Sequence, residues 1–122
     1  MKTKIIATLA LVFGSAMSNA ECMTPEVPTL PSGDSATMEQ MIEGQKAVKT
    51  FQAANLEYMS CLEKAFTEAA AVVKDSSGDA QAAAQAEYDT AESAYNNAVT
   101  KEEELAGEFN SAIRAFKAAN PS

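Results

Sequence analysis

The 122-residue chain has no histidine, no tryptophan and only two cysteines. Without histidine, the commonest general base and metal ligand near neutral pH are missing. No cysteine or serine has an imidazole to activate it. The cysteines, at 22 and 61, are too far apart in sequence for the Cys-x-x-Cys pair of redox enzymes. Basic residues are also few: nine Lys and Arg face seventeen Asp and Glu, for a formal charge of −8. Nucleic-acid binding needs a basic footprint, and anionic lipid surfaces favour one too. After the first twenty residues no apolar run is long enough to span a bilayer. The composition therefore argues against an enzyme, a nucleic-acid binder and a membrane-embedded protein. No catalytic residue, metal site or cofactor is expected, and the length allows one small domain.

What is present begins with an export signal at residues 1–20. Lys2 and Lys4 form a positive start, Ile5 to Phe13 an apolar stretch, and Ser18-Asn19-Ala20 a small-residue cleavage site. The stretch is too short to anchor the chain, and it is apolar all round, unlike an amphipathic first helix. Loss of the two lysines with the leader takes the formal charge from −8 to −10. Cys22 lies beside the cleavage site, but Glu21 and Asn19 stand where a lipobox requires small and aliphatic residues. The expected destination is the periplasm or the medium. In such a compartment two cysteines imply one disulfide, Cys22–Cys61. Two free thiols or a bridge between chains are the alternatives.

Three segments follow the leader. Residues 21–36 hold Pro25, Pro28, Pro31 and Gly33, a spacing that favours an extended, polyproline-like path. Residues 37–75 read as a long helix with Thr37 and Gln40 as a capping box. Its heptad rows are Met41, Val48, Asn55, Leu62, Ala69 and Gly44, Phe51, Tyr58, Ala65, Val72. Asp75-Ser76-Ser77-Gly78 reads as a stop and turn. Residues 79–119 read as a second helix with Asp79 as N-cap, and residues 120–122 as a tail. Its rows are Tyr88, Tyr95, Glu102, Phe109, Phe116 and Ala84, Ala91, Ala98, Leu105, Ala112. Rows this regular are a strong helix signal.

The predicted fold is all-α: an antiparallel, coiled-coil-like two-helix hairpin with an extended N-terminal arm pinned by a disulfide. Folding about Ser77 brings Tyr58 near Tyr95, Leu62 near Ala91 and Gly44 opposite Phe109. The acidic run Glu102, Glu103, Glu104 and Glu108 then lies across from Lys46 and Lys49, where cross-helix ion pairs are expected. Cys61 sits about 36 Å along the first helix, and the arm spans up to about 46 Å. The arm therefore reaches, with slack for a turn at Ser32-Gly33, by running back along that helix over Ala47 and Ala54. Asn55, polar in an apolar seam, reads as a device that fixes the register.

The stretch Cys22, Pro25, Pro28, Pro31, Gly33, then Met41, Gln45, Val48, Lys49, Phe51, Tyr58, Cys61 and Leu62 resembles a group of short exported proteobacterial proteins. Their pattern is Cys, spaced prolines, Gly, then a helix ending in Tyr-x-x-Cys-Leu. The resemblance covers residues 22–62. It implies export and the cysteine pair, and supplies no activity or site residues. The second half is similar only in being helical and Ala-rich.

Beside the seam lies an apolar row that one partner helix does not obviously cover. Met38, Met59, Phe66 and Val73 share it, and Ile42 and Leu56 flank it. These six residues form the candidate interaction face, for a protein partner or a second copy of the chain, since the same heptads serve a hairpin or a four-helix dimer. The leading expectation is a non-catalytic protein of the cell envelope acting through protein–protein contact or self-association. The alternative is a carrier of a small ligand or Cu(I), which the soft thioethers of Met38-x-x-Met41, Met23 and Met59 would bind. Core packing is the commoner use of methionine. Glu102-Glu103-Glu104 point in different directions on a helix and make a poor calcium site.

Overall fold

The structure, a computed structural model, describes residues 22–121. The expected leader, Glu21 and Ser122 lie outside the described residues. Two helices account for most of the chain: α1, Met38–Asp75, and α2, Gly78–Ala119. They are 38 and 42 residues long, hence rods of roughly 57 and 63 Å.

Local chemistry sets their ends. The Thr37 hydroxyl accepts from the Gln40 backbone N–H at 3.1 Å, and the Gln40 side chain accepts from the Thr37 N–H at 2.9 Å. This reciprocal box satisfies two donors at the start of α1. At its far end the Ser76 hydroxyl donates to the Val72 carbonyl, and the Gln81 side chain donates to the Val73 carbonyl at 3.0 Å. Gln81 thus ties the end of α1 to the start of α2. The turn closes on Gly78, whose φ of 64° lies in the left-handed region that glycine adopts without strain. The N-cap of α2 is Ser77, not the expected Asp79. With Ser77 as the cap, Asp79 falls inside the first turn, where its charge suits the positive helix end.

The helices pack antiparallel along the two α1 rows and the Ala row of α2. Met41, Val48, Phe51, Leu62, Ala65 and Ala69 are buried on α1, and Ala84, Ala91, Ala98, Leu105 and Ala112 on α2. Small side chains every seven residues let the two backbones approach closely. Asn55 is 1% exposed, and its Nδ2 donates to the Ala98 carbonyl at 3.0 Å. Gly44 faces Phe109: a Cβ added there would lie 3.3 Å from the ring and 3.0 Å from Pro31. Asn55–Ala98 and Gly44–Phe109 belong to the same register, so the pairing holds over several turns.

The arm forms the third layer. Its disulfide joins Cys22 to Cys61 with Cα atoms 5.6 Å apart. Leu30 packs with Phe109 on the central cluster of Val48, Phe51 and Leu105. A tight turn, with the Ser35 N–H donating to the Ser32 carbonyl at 3.2 Å, then leads into α1. The arm follows α1, and it also meets α2. A Cβ at Gly33 would lie 1.8 Å from the Ala112 carbonyl oxygen and 2.9 Å from the Phe116 nitrogen. Glycine is required there because backbone lies on backbone.

One electrostatic expectation is corrected. Among the described residues the ion pairs are Lys46–Glu43 and Lys101–Glu104, each between residues three apart on one helix. The cross-helix pairs of Lys46 and Lys49 with the acidic run do not form. A neighbour one turn away is reached with less loss of side-chain freedom than one on the facing helix, and all four groups stay hydrated.

Candidate functional site

At 100° per residue, Ala47, Ala54 and Cys61 lie on one side of α1, and Met38, Ile42, Gln45 and Leu56 on the other. The arm covers the first side. The opposite side of the hairpin, its open face, carries the candidate residues. They divide into two groups there. Met59, Phe66 and Val73 are half-buried. Phe66 meets Tyr88 and Tyr95 edge to face, with ring centroids 5.8 and 5.9 Å away. The second helix thus covers the part of the row nearer the turn. Met38, Ile42 and Leu56 are 61%, 45% and 63% exposed.

Near the open end the face deepens into a groove of about 390 Å³. The first turns of α1 supply Met38, Met41 and Ile42, and the last turns of α2 supply Phe109, Ile113 and Phe116, with Gln45, Lys117 and Asn120 at the rim. The groove exists because large side chains flank the seam here, where α1 begins and the arm is on the other side. Sequence reasoning missed the contribution of α2. Phe109 and Phe116 read as seam residues, and Ile113 stands in neither row. The usable signal was its spacing of four residues from Phe109, which puts both on one edge of the helix.

A second cavity, also about 390 Å³, lies on the arm side between Pro25 and Val27 of the arm, Phe51, Asn55 and Tyr58 of α1, and Ala98 and Lys101 of α2. Asn55 reaches its wall. Cys22 and Cys61, half-buried, are joined at the adjoining end of the arm.

The methionines do not converge. Met38 and Met41 share the groove, and Met41 is only 6% exposed. Met59 is eighteen residues from Met41, about 27 Å along α1. Met23 is on the arm beside the disulfide, near Ala54 and Glu57. Two thioethers share a site, with no thiol or imidazole beside them. Among the described residues no group of three or more Cys, Asp or Glu is placed to hold a metal ion, and no helix is long and apolar enough to cross a membrane. Compared with protein-family models, curated proteins and solved structures, the chain matches none.

Proposed function

We propose that this is an exported, non-catalytic helical protein of the cell envelope, periplasmic or released, that works through protein–protein contact on its open face. The observation that carries the reading is the asymmetry of the hairpin's two sides. The arm and disulfide close one side, while the other keeps Met38 and Ile42 in solvent beside an apolar groove and Leu56 in solvent about 21 Å further along α1. Large apolar side chains left exposed on one face mark an interaction surface. The absence of histidine from the sequence and its acidic charge of −8 support a binding role over catalysis or nucleic-acid recognition. The disulfide supports an oxidising compartment.

The test is photo-crosslinking in the producing cell. A photoreactive residue replaces Ile42 or Leu56 on the open face, or Glu57 on an outer side as control. Adducts of defined mass at positions 42 and 56, absent at 57, are the expected outcome. Adducts at 57 alone, or at none of the three, would overturn the reading.

A further inference from the structure

The open face is chemically suited to one particular occupant, and we infer that it is a second copy of this chain. The inference rests on the reading of that face as the working surface and names its partner. The two copies stand side by side, related by a two-fold axis parallel to the hairpin, with α1 of each lying against α2 of the other.

Register and charge select this arrangement. Asn55 is level with Ala98, and Gly44 with Phe109. Lys49 is therefore within one residue of the level of Glu103, and Leu56 within two of Val99. Lys49 follows Ile42 and precedes Leu56 at heptad spacing, so it stands at the outer edge of the face on α1. Glu103, four residues after Val99, stands at the outer edge on α2. Neither is in an ion pair among the described residues. With the two-fold parallel to the hairpin, each Lys49 meets Glu103 of the second copy, and each Leu56 meets its Val99. Met38 and Ile42 meet the second copy's Ile113, so the two apolar grooves close each other. Every neighbouring pair of helices is then antiparallel, the arrangement of an up-down four-helix bundle. A two-fold across the hairpin would instead set Lys49 against Lys49 and Glu103 against Glu103.

Size agrees. The face runs from Met38 to Met59, about 32 Å along α1, with apolar residues at its two ends (Met38, Ile42 and Ile113; Leu56, Met59 and Val99) and Gln45, Lys49, Gln52 and Glu103 between them. Across two helices about 20 Å wide the whole face, polar middle included, has a footprint of roughly 650 Å² per copy, near the ~800 Å² of a standard interface. Towards the turn, Glu63, Asp89 and Glu92 make the same face acidic, so contact ends there. A short interface between chains of like net charge gives a dimer of roughly micromolar dissociation constant, with long-range repulsion screened at physiological salt.

Analytical ultracentrifugation of the purified, oxidised protein at about 50 µM tests this. The expected mass is twice that of the chain. Leu56→Glu weakens the dimer at least tenfold, roughly the effect of placing a charge in an apolar contact. Lys49→Glu also weakens it, and the exchange Lys49→Glu with Glu103→Lys restores it. Circular dichroism of each variant verifies that the helices remain; should Leu56→Glu lose them, Val99→Lys takes its place. A monomer at this concentration, any other stoichiometry, or a dimer indifferent to these substitutions overturns the inference. A dimer that the charge exchange fails to restore overturns the two-fold proposed. A monomer in solution that still yields crosslinks from positions 42 and 56 to a protein of another mass would reject the second copy and leave the interaction reading standing.

Discussion

Between its open end and Cys61 the hairpin is three layers deep; between Cys61 and the turn it is two. The same heptad rows run through both halves, yet the side chains on them differ. The open half carries Met41, Val48, Phe51, Leu105 and Phe109, with Leu30 of the arm on top. The turn half carries Ala65, Ala69, Ala84 and Ala91, with Leu62 as its largest buried side chain. Large residues facing the Ala row leave flanks that a third element covers. In the turn half the buried seam is small, and Phe66, Tyr88 and Tyr95 cover one flank from the two helices themselves. The arm and the bulky half of the seam therefore belong together, and the disulfide lies where one mode of packing gives way to the other.

The largest test of this contrast is removal of the disulfide. The bridge closes a loop of 39 residues, and the chain-entropy relation assigns it about 4 kcal/mol. Cys22→Ser with Cys61→Ser is expected to lower the unfolding free energy by that amount, read from the fall in denaturant midpoint at unchanged slope. Amide exchange should quicken first from Val48 to Asn55, and least from Leu62 to Ala69. Equal acceleration in both halves would mean that the arm does not serve the open half in particular.

Next is Gly33→Ala. The added carbon would overlap the Ala112 carbonyl, so the arm must lift from α2. The expected loss is about 2 kcal/mol, in the range of other overpacked sites, and most of it should vanish in the disulfide-free background, where the arm is already loose. An undiminished effect there would show that the contact with α2 holds the arm independently of Cys61.

On the turn side, Phe66→Leu removes two edge-to-face contacts, with Tyr88 and Tyr95, and is expected to cost about 1 kcal/mol. The loss should be the same with and without the disulfide, because the arm does not reach this cluster. Chemical denaturation of the four proteins in a double-mutant cycle measures this directly. A coupling above ~0.5 kcal/mol would join the halves into one unit.

Much of this was legible in the sequence because heptad rows and a single short turn leave an antiparallel hairpin few registers. Asn55 shows the limit of that reasoning: its row placed it in the seam, but the Ala98 carbonyl as its partner emerges only when both backbones are in place. Gly33 shows the limit more sharply. In sequence it is a turn residue after Pro31, and nothing local points to Ala112, seventy-nine residues away. The candidate face was legible on α1, where Met38, Ile42 and Leu56 stand out as apolar residues off the seam. It was not legible on α2, because Phe109 and Phe116 serve the seam and the groove together. The ion pairs were misjudged for a related reason: facing rows bring charges opposite one another, but the turn above or below offers a nearer partner.

Val72 offers the finest test. It sits on the same row as Gly44, Phe51 and Tyr58, yet it is 48% exposed. Those three lie where the arm passes, and Val72 lies beyond Cys61, where nothing covers that flank. Ala65, on the same row and also beyond Cys61, is buried against α2 alone, so α2 covers a small side chain on this row while the larger Val72 extends into a flank that no arm covers. Val72→Lys is expected to change stability by less than ~0.5 kcal/mol, as at other solvated positions, with the lysine near the carbonyl end of α1 in a favourable field. A loss of more than 1 kcal/mol in thermal or denaturant unfolding would mean that the row is buried along its full length in solution. Something other than the arm would then have to cover the turn half.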